Sequence, residues 1–157
     1  VVTSLRVSTS KLFEHLLDDR KVGEHYVLRL KTDTVLIRQN GFDKKPDLEI
    51  VGEELGDAKV LIDAKYKSSP KSLSKMSFSD QYQQYAYAAS SGMDTFFVYL
   101  NGGANFDDDV ILINETVSTI RVGFLSIDFP RDSNLDIWWD LQGLKFCELV
   151  NRVLQNI

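Results

Sequence analysis

Apolar residues recur along the chain in two patterns, one typical of amphipathic helices and one typical of buried strands. Helical spacing is found near the beginning, in residues 8–22, and near the end, in residues 136–155. A third helix is predicted over residues 77–91, with a serine as its cap. Glycines predict where two of these helices stop, Gly23 for the first and Gly92 for the third.

Between these helices the chain carries short β-prone apolar runs of the kind that form strands. The clearest run is residues 59–65, in which three consecutive aliphatic residues indicate a buried, central strand. Turn-forming residues separate the runs, and residues 105–109 are predicted to be an acidic loop. The other strands are predicted at residues 26–30, 34–38, 47–52, 95–100, 110–114 and 119–128.

The order of these elements predicts an α/β domain in which helices flank a mixed β-sheet. The chain has 157 residues, a length typical of one domain, so residues 1–157 are interpreted as a single domain. No apolar run approaches the roughly 18 residues of a transmembrane helix. The single cysteine excludes an internal disulfide and fits reducing surroundings. We therefore expect a cytoplasmic protein that does not contact a membrane.

The net charge of −5 changes which partners we expect. Proteins that hold nucleic acid by bulk electrostatics are usually basic, and this chain is acidic. A nuclease remains compatible with the charge, because a metal-binding site contributes acidic residues of its own. Such a nuclease would depend on a divalent ion, a local basic patch or another subunit for its affinity.

Three charged residues at the ends of two predicted strands form the candidate chemistry. Asp63 and Lys65 are two residues apart in a strand and point to the same face, and Asp47 opens the preceding strand. If the strands pair, two carboxylates and an ammonium group meet at one end of the sheet. Carboxylates suit Mg²⁺, and a lysine beside them stabilises a reacting phosphodiester. The pattern indicates a metal-dependent nuclease, although a strand-edge salt bridge explains the same residues.

The chain contains the segments PDLEI at residues 46–50 and LIDAKYK at residues 61–67. These two segments resemble the PD-(D/E)xK nuclease superfamily. The second segment is similar to the nuclease domain of McrC-type restriction subunits, and residues 80–88 (DQYQQYAYA) match the helix that follows the strand in that group. Within this helix, Gln83 and Tyr87 resemble the Gln-x-x-x-Tyr motif of RecB-like nucleases.

The resemblance implies a restriction-endonuclease-like fold and an enzyme that hydrolyses DNA in a restriction or defence system. Its cofactor would be Mg²⁺, with Mn²⁺ as a substitute. The implied catalytic residues are Asp47, Asp63, Lys65, Gln83, Glu14 and Tyr87. The implied metal-binding residues are Asp47, Asp63, Glu14 and Ala64.

Two of these assignments have a purely structural alternative. Glu14 follows Leu-Phe in the first helix, as a glutamate of the family does, but it would be solvated if it lay on the polar face of that helix. Gln83 would be merely exposed if its helix packed on the sheet through a neighbouring set of side chains. That set is Tyr82, Tyr85, Ala86 and Ala89.

Lysines cluster around the predicted acidic centre, with no Asp or Glu between residues 64 and 77. They would contact phosphates without reading sequence. A solvated Lys/Ser loop explains the same composition. The residues predicted to contact nucleic acid are Lys67, Lys71, Lys75 and Lys45.

The expected partners are DNA and a motor or specificity subunit, the latter as a separate chain or a fused domain. A homodimer would supply the two centres that double-strand cleavage needs. A RecB-like exonuclease or a junction resolvase is compatible with the same chemistry. A further alternative is an inactive nuclease-fold assembly module anchored by Trp138 and Trp139.

Overall fold

The computed structural model describes seven segments of the chain. They are residues 9–30, 37–39, 42–54, 56–100, 106–112, 119–130 and 134–154. The helices in these segments are α1 (Thr9–Leu17), α2 (Phe78–Ser91) and α3 (Leu135–Leu154), with a 3₁₀ helix at Leu73–Lys75. The strands are β1 (Lys21–Val22), β2 (Tyr26–Leu30), β3 (Ile37–Gln39), β4 (Phe42–Lys44), β5 (Leu48–Gly52), β6 (Ala58–Lys65), β7 (Asp94–Leu100), β8 (Phe106–Leu112) and β9 (Thr119–Ile127).

Seven of the described strands form one mixed sheet, in the order β1-β2-β5-β6-β7-β9-β8. β5 runs antiparallel to β6, whereas β6, β7 and β9 run parallel to one another. At β6 the antiparallel pairing of β1, β2 and β5 changes to the parallel pairing of β6, β7 and β9, and β8 pairs antiparallel with β9 at the edge. The remaining pair, β3 and β4, forms a separate two-stranded ribbon. The predicted mixed sheet flanked by helices is confirmed.

The helices cover both faces of the sheet. On one face, α1 and α3 contribute Phe13 and Phe146 to the larger core, which also contains Ile62 of β6. On the other face, Tyr87 of α2 packs with Leu61 of β6. Neighbouring residues of β6 therefore face opposite layers, as strand geometry requires. Odd-numbered positions of β6 face α2, and this sets the direction of the charged residues at its end.

Local signals in the sequence determine both ends of α2. The Ser77 hydroxyl accepts a hydrogen bond of 3.3 Å from the backbone N–H of Asp80 and so caps the first turn. At the other end, Gly92 has a φ of 68° and its N–H donates to the carbonyl of Ala88. A side chain at Gly92 would be strained in this conformation. The prediction that the helix ends at Gly92 is confirmed.

The first helix is shorter than predicted. It ends at Leu17, because Lys21–Val22 pairs with β2 as a strand and does not continue the helix. Gly23 has a φ of 66° and lies in the turn between β1 and β2, so it shapes a hairpin and does not stop a helix. The helix predicted over residues 8–22 therefore includes both the observed helix and the short strand β1 that follows it.

The predicted acidic loop at residues 105–109 is wrong where it is described, because β8 begins at Phe106 and pairs antiparallel with β9. Arginines make this acidic strand stable. Asp108 forms ion pairs with Arg121 at 2.5 Å and with Arg152 at 3.5 Å. The strands predicted at residues 34–38 and 110–114 lie partly outside the described residues.

The two tryptophans of α3 are engaged within the fold. Trp138 is 7% exposed, and its indole N–H donates to the carbonyl of Asp128. The indole N–H of Trp139 donates to the carbonyl of Lys21 at 3.0 Å. Both tryptophans therefore pack with the larger core, and the assembly alternative stays a prediction. None of the described helices is both long enough and apolar enough to cross a membrane.

Candidate active site

Strand register brings the two predicted aspartates together. Leu48 pairs with Ile62 in the antiparallel ladder, so Asp47, one residue earlier, lies opposite Asp63. The backbone N–H of Ala64 donates to the carboxylate of Asp47 at 2.9 Å. This bond holds the Asp47 side chain against the end of β6. The expected pairing of the two strands is confirmed, and it places both carboxylates at one end of the sheet.

The ammonium group of Lys65 occupies the centre of the site. It lies 2.7 Å from a carboxylate oxygen of Asp63 and 2.5 Å from the side-chain oxygen of Gln83. Asp80 follows at 3.8 Å, and the ring of Phe97 lies 4.6 Å from the same nitrogen. An ammonium group has three donors, and among the described residues two of them make contacts of hydrogen-bond length. The third donor has no partner within hydrogen-bond length in the part of the chain that the structure describes.

A chain of hydrogen bonds orients Gln83. Its side-chain nitrogen donates to the hydroxyl of Tyr87 at 2.8 Å, which leaves its oxygen for Lys65. The hydroxyl of Tyr87 then donates to the carbonyl of Lys45 at 3.0 Å. Helix α2 is thereby tied to the segment that precedes Asp47. Tyr87 is 1% exposed, so its place in the site is to orient Gln83.

The carboxyl groups of the site bind protons more tightly than ordinary carboxyl groups do. Burial raises the pKa of Asp63 to about 7, and the charge of Asp47 adds to this effect. Burial also raises the pKa of Asp47 to about 6, with the charge of Glu14 adding to it. The pKa of Glu14 is raised by burial and by Asp63, although a hydrogen bond with Asp47 opposes the change. Three carboxyl groups thus lie close enough to repel one another, an environment that a cation stabilises.

These oxygen donors suit a hard divalent cation. Mg²⁺ usually takes one or two carboxylates and completes its shell with water and substrate phosphate, and Asp47 with Asp63 meets that need. Ala64 has no side-chain donor, so it has only its main-chain carbonyl to offer. Within the described segments, no three His, Cys, Asp or Glu side chains are already arranged around one point as ligands. Ligation by Glu14 and Ala64 stays a prediction.

Asp80 is a site residue whose partners the sequence did not reveal. It is 5% exposed and accepts contacts of 2.7 Å from the hydroxyl of Tyr99 and from the ammonium group of Lys67. Burial alone would raise the pKa of Asp80. The hydrogen bonds from Lys67 and Tyr99 and the charge of Lys65 have the larger combined effect, so the pKa lies below its ordinary value. Asp80 is therefore a carboxylate that holds Lys67 beside Lys65.

The four lysines predicted to contact nucleic acid take different positions. Lys67 is half-exposed at the edge of the site, and Lys45 is exposed beside Tyr87. Lys71 and Lys75 are exposed in the segment that leads to α2. Lys67 and Lys75 share an open pocket of about 210 Å³, also lined by Ser68, Pro70, Ser77, Asp80 and Tyr99. Two of the four lysines are thus brought to one pocket next to the site.

The face of α2 that packs on the sheet is not the one that contains Tyr82 and Tyr85. Tyr82 and Tyr85 are 62% and 47% exposed, so they do not pack on the sheet. Besides Asp80, the buried polar residue of α2 is Gln84, which donates to the carbonyls of Thr95 and Gly123 at 3.1 and 2.6 Å. Gln84 fastens the helix to β7 and β9, and this contact brings the neighbouring Gln83 to Lys65.

Comparisons with models of known families and with curated proteins find no match for the sequence. The structure matches a chain in the refined half-complex from a tetradecameric assembly of Thermococcus gammatolerans McrB AAA+ hexamers with bound McrC. The TM-score is 0.58 and the sequence identity is 14%, over 94% of this chain and 34% of that chain. This chain therefore spans about a third of the length of its match. At this identity the likeness shows a shared fold.

Proposed function

We propose that this domain is the catalytic part of a metal-dependent nuclease that hydrolyses phosphodiester bonds of DNA in a restriction or defence system. The observation that carries the proposal is the convergence of four side chains from β6, from α2 and from the residue that precedes β5. They are Asp47, Asp63, Lys65 and Gln83. The resemblance of the same positions to the PD-(D/E)xK superfamily supports the proposal, and so does the likeness of the fold to a chain of the McrB–McrC assembly.

Each side chain has a place in phosphodiester hydrolysis that suits its contacts. When bound, Mg²⁺ supplies a water of lowered pKa and offsets the charge of the phosphate. Asp47 and Asp63 would hold the ion with their carboxylate oxygens. Lys65 donates its remaining N–H to a phosphate oxygen, where negative charge grows in the transition state. Gln83 shares the ammonium group with Asp63 and so keeps it pointing across the site.

We also propose a larger partner for this domain. The matched structure contains McrB AAA+ hexamers with bound McrC, and a motor of that kind would feed DNA to the site. The net charge of −5 supports such a division of labour, because the domain itself has little bulk attraction for a polyanion. A motor or specificity subunit would then provide most of the affinity.

A cleavage assay tests the proposal. The protein is incubated with supercoiled plasmid and with single-stranded DNA in Mg²⁺, in Mn²⁺ and in EDTA. We expect cutting with either metal and none in EDTA. The variants Asp63→Asn and Lys65→Ala should abolish cutting and keep the circular-dichroism spectrum, whereas Asp57→Asn, at an exposed position between β5 and β6, should cut normally. Cutting that is absent in both metals, together with no metal binding by calorimetry, would contradict the proposal.

A further inference from the structure

An open pocket of about 340 Å³ lies at the end of the sheet beside the candidate site. Its lining residues are Tyr66, Lys67, Ser68, Leu100 and Phe129. The ring of Tyr66 meets that of Phe129 edge to face, with centroids 6.5 Å apart, and Tyr66 is 49% exposed. The pocket therefore combines a lysine and a serine with the ring of Tyr66, which Phe129 supports and which is still accessible to solvent.

Lys67 connects this pocket with the edge of the site, because it lines the pocket and also pairs with Asp80. Lys67 and Ser68 also line the neighbouring pocket of about 210 Å³, which contains Lys75 as well. The ammonium group of Lys67 lies 2.7 Å from Asp80, whose other oxygen lies 3.8 Å from the ammonium group of Lys65. Two ammonium groups thus flank one carboxylate. A strand whose reacting phosphate met Lys65 would bring a neighbouring phosphate to Lys67.

The residues that line the two pockets suit a single strand of nucleic acid, which has charged phosphates and flat bases. In the linings of the two pockets the acidic residue is Asp80, and Lys67 and Tyr99 already pair with it. Lysine and serine side chains suit phosphates, and aromatic rings stack on any base because every base has a π-face. Bases within a duplex are stacked on one another, so only an unpaired or extruded base can reach Tyr66.

We propose that Tyr66, supported by Phe129, is a stacking subsite for an unpaired nucleotide next to the reacting phosphate, with Lys67 on the adjoining phosphate. The substrate would then be single-stranded DNA, or DNA that is locally unpaired at the site. The proposal deepens the proposed function and rests on it for the direction of the strand. Its central claim, stacking of a base on Tyr66, can be measured without cutting.

The test is fluorescence anisotropy with a short fluorescein-labelled oligodeoxythymidine and with a duplex of the same length, in EDTA and in Ca²⁺. We expect Tyr66→Ala to raise the Kd for the single strand at least about fivefold and to leave the Kd for the duplex unchanged. Tyr66→Phe keeps a stacking ring and should bind as the wild type does. Tyr82→Ala removes a tyrosine that is 62% exposed on the outer face of α2, and it should have no effect. An oligouridine arm shows whether RNA is bound in the same way.

Equal single-strand binding by Tyr66→Ala and the wild type would overturn the proposal, and so would a wild type that binds no single strand. Metal-dependent plasmid cutting with no effect of Tyr66→Ala would remove the subsite and leave the nuclease. Tyr66-dependent binding without cutting would support the subsite and remove the nuclease. If Tyr66→Ala does not fold, Tyr66→Leu replaces it, because leucine keeps an apolar contact with Phe129 and removes the stacking ring.

Discussion

The hydroxyl of Tyr99 donates a hydrogen bond of 2.7 Å to the carboxylate of Asp80. Burial raises the pKa of Tyr99, and its bond to Asp80 raises it further, so the phenol stays a donor at ordinary pH. The bond joins β7 to the first turn of α2 beneath the ammonium groups of Lys65 and Lys67. Tyr99 therefore holds Asp80 in place, and Asp80 in turn positions both lysines.

Replacing Asp80 by asparagine should separate catalysis from binding. Asp80→Asn keeps an acceptor for Tyr99 and loses the charge that holds Lys67. We expect kcat to fall roughly 10- to 100-fold, as for other groups that orient a reactive centre. Affinity for DNA should stay the same or increase, because one negative charge has been removed. Steady-state kinetics and anisotropy measure the two effects.

Tyr99→Phe is the matched control for that experiment, because it removes a hydrogen bond and no charge. It should cost about 1 kcal/mol of stability and change kcat less than Asp80→Asn does. A purely structural Asp80 would instead lower activity in proportion to the folded fraction measured by denaturation.

The metal-free protein should lose stability as the pH rises. The pKa values of Asp47 and Asp63 are raised to about 6 and about 7, above their ordinary value, so the folded state binds more protons than the unfolded state. Their contribution is complete below the unfolded pKa and is lost as the pH rises through the folded pKa values. Urea denaturation in EDTA between about pH 5 and pH 8 measures this trend.

The variant Asp63→Asn identifies the groups responsible for that trend. It removes the carboxyl whose pKa is raised to about 7, so the loss of stability with rising pH should become shallower. A wild-type stability that is flat or increases over the same range would show that the two carboxyls are not held in this environment.

Divalent cations should stabilise the fold, and more at pH 8 than at pH 6. An ion held by Asp47 and Asp63 would compete with the protons that these carboxyl groups bind, and fewer protons remain at the higher pH. At a concentration of about 100 times its Kd, the ion adds about 2.7 kcal/mol to the free energy of unfolding. Thermal denaturation with Mg²⁺ and Mn²⁺ checks this. Asp63→Asn should lose the effect and Asp57→Asn should keep it.

Gly123 of β9 should tolerate no side chain. A Cβ there would overlap the carbonyl oxygen of Asp107 and lie 2.7 Å from the ring of Phe96. Gly123→Ala is expected to cost at least about 1 to 3 kcal/mol, because the contact is with backbone that cannot move aside. Gly52→Ala is the control, since nothing lies within 4 Å of a Cβ at that strand position. Equal denaturation midpoints for the two variants would contradict the close packing at β9.

The sequence predicted the elements whose signals are local. The apolar run that forms β6, the serine and glycine at the ends of α2, and the two-residue spacing of Asp63 and Lys65 were all recognisable from neighbouring residues. The pairing of β5 with β6 followed because the two strands are close in sequence. These features place the carboxylates and the lysine of the candidate site.

The features that escaped prediction depend on residues far apart in sequence. Acidic β8 is a strand because arginines from β9 and α3 neutralise Asp108. The aromatic residues of α2 suggested a packed face, yet the buried face contains Asp80 and Gln84, whose partners lie on β7 and β9. A polar side chain is marked as buried only by its partner, and a single sequence does not show which partner that is.

The position of β6 between two kinds of strand pairing sets an order for folding. The hairpin of β5 and β6 closes a short loop, whereas the pairing of β6 with β7 must wait for the crossover that contains α2. We expect Asp47 and Asp63 to meet in the early hairpin, before Gln83 arrives with the helix. Substitutions in the hairpin should therefore slow folding, which corresponds to high kinetic φ-values. Substitutions in α2 should mainly speed unfolding, which corresponds to low ones. Acidic conditions, which protonate the aspartates, should speed the first of these steps.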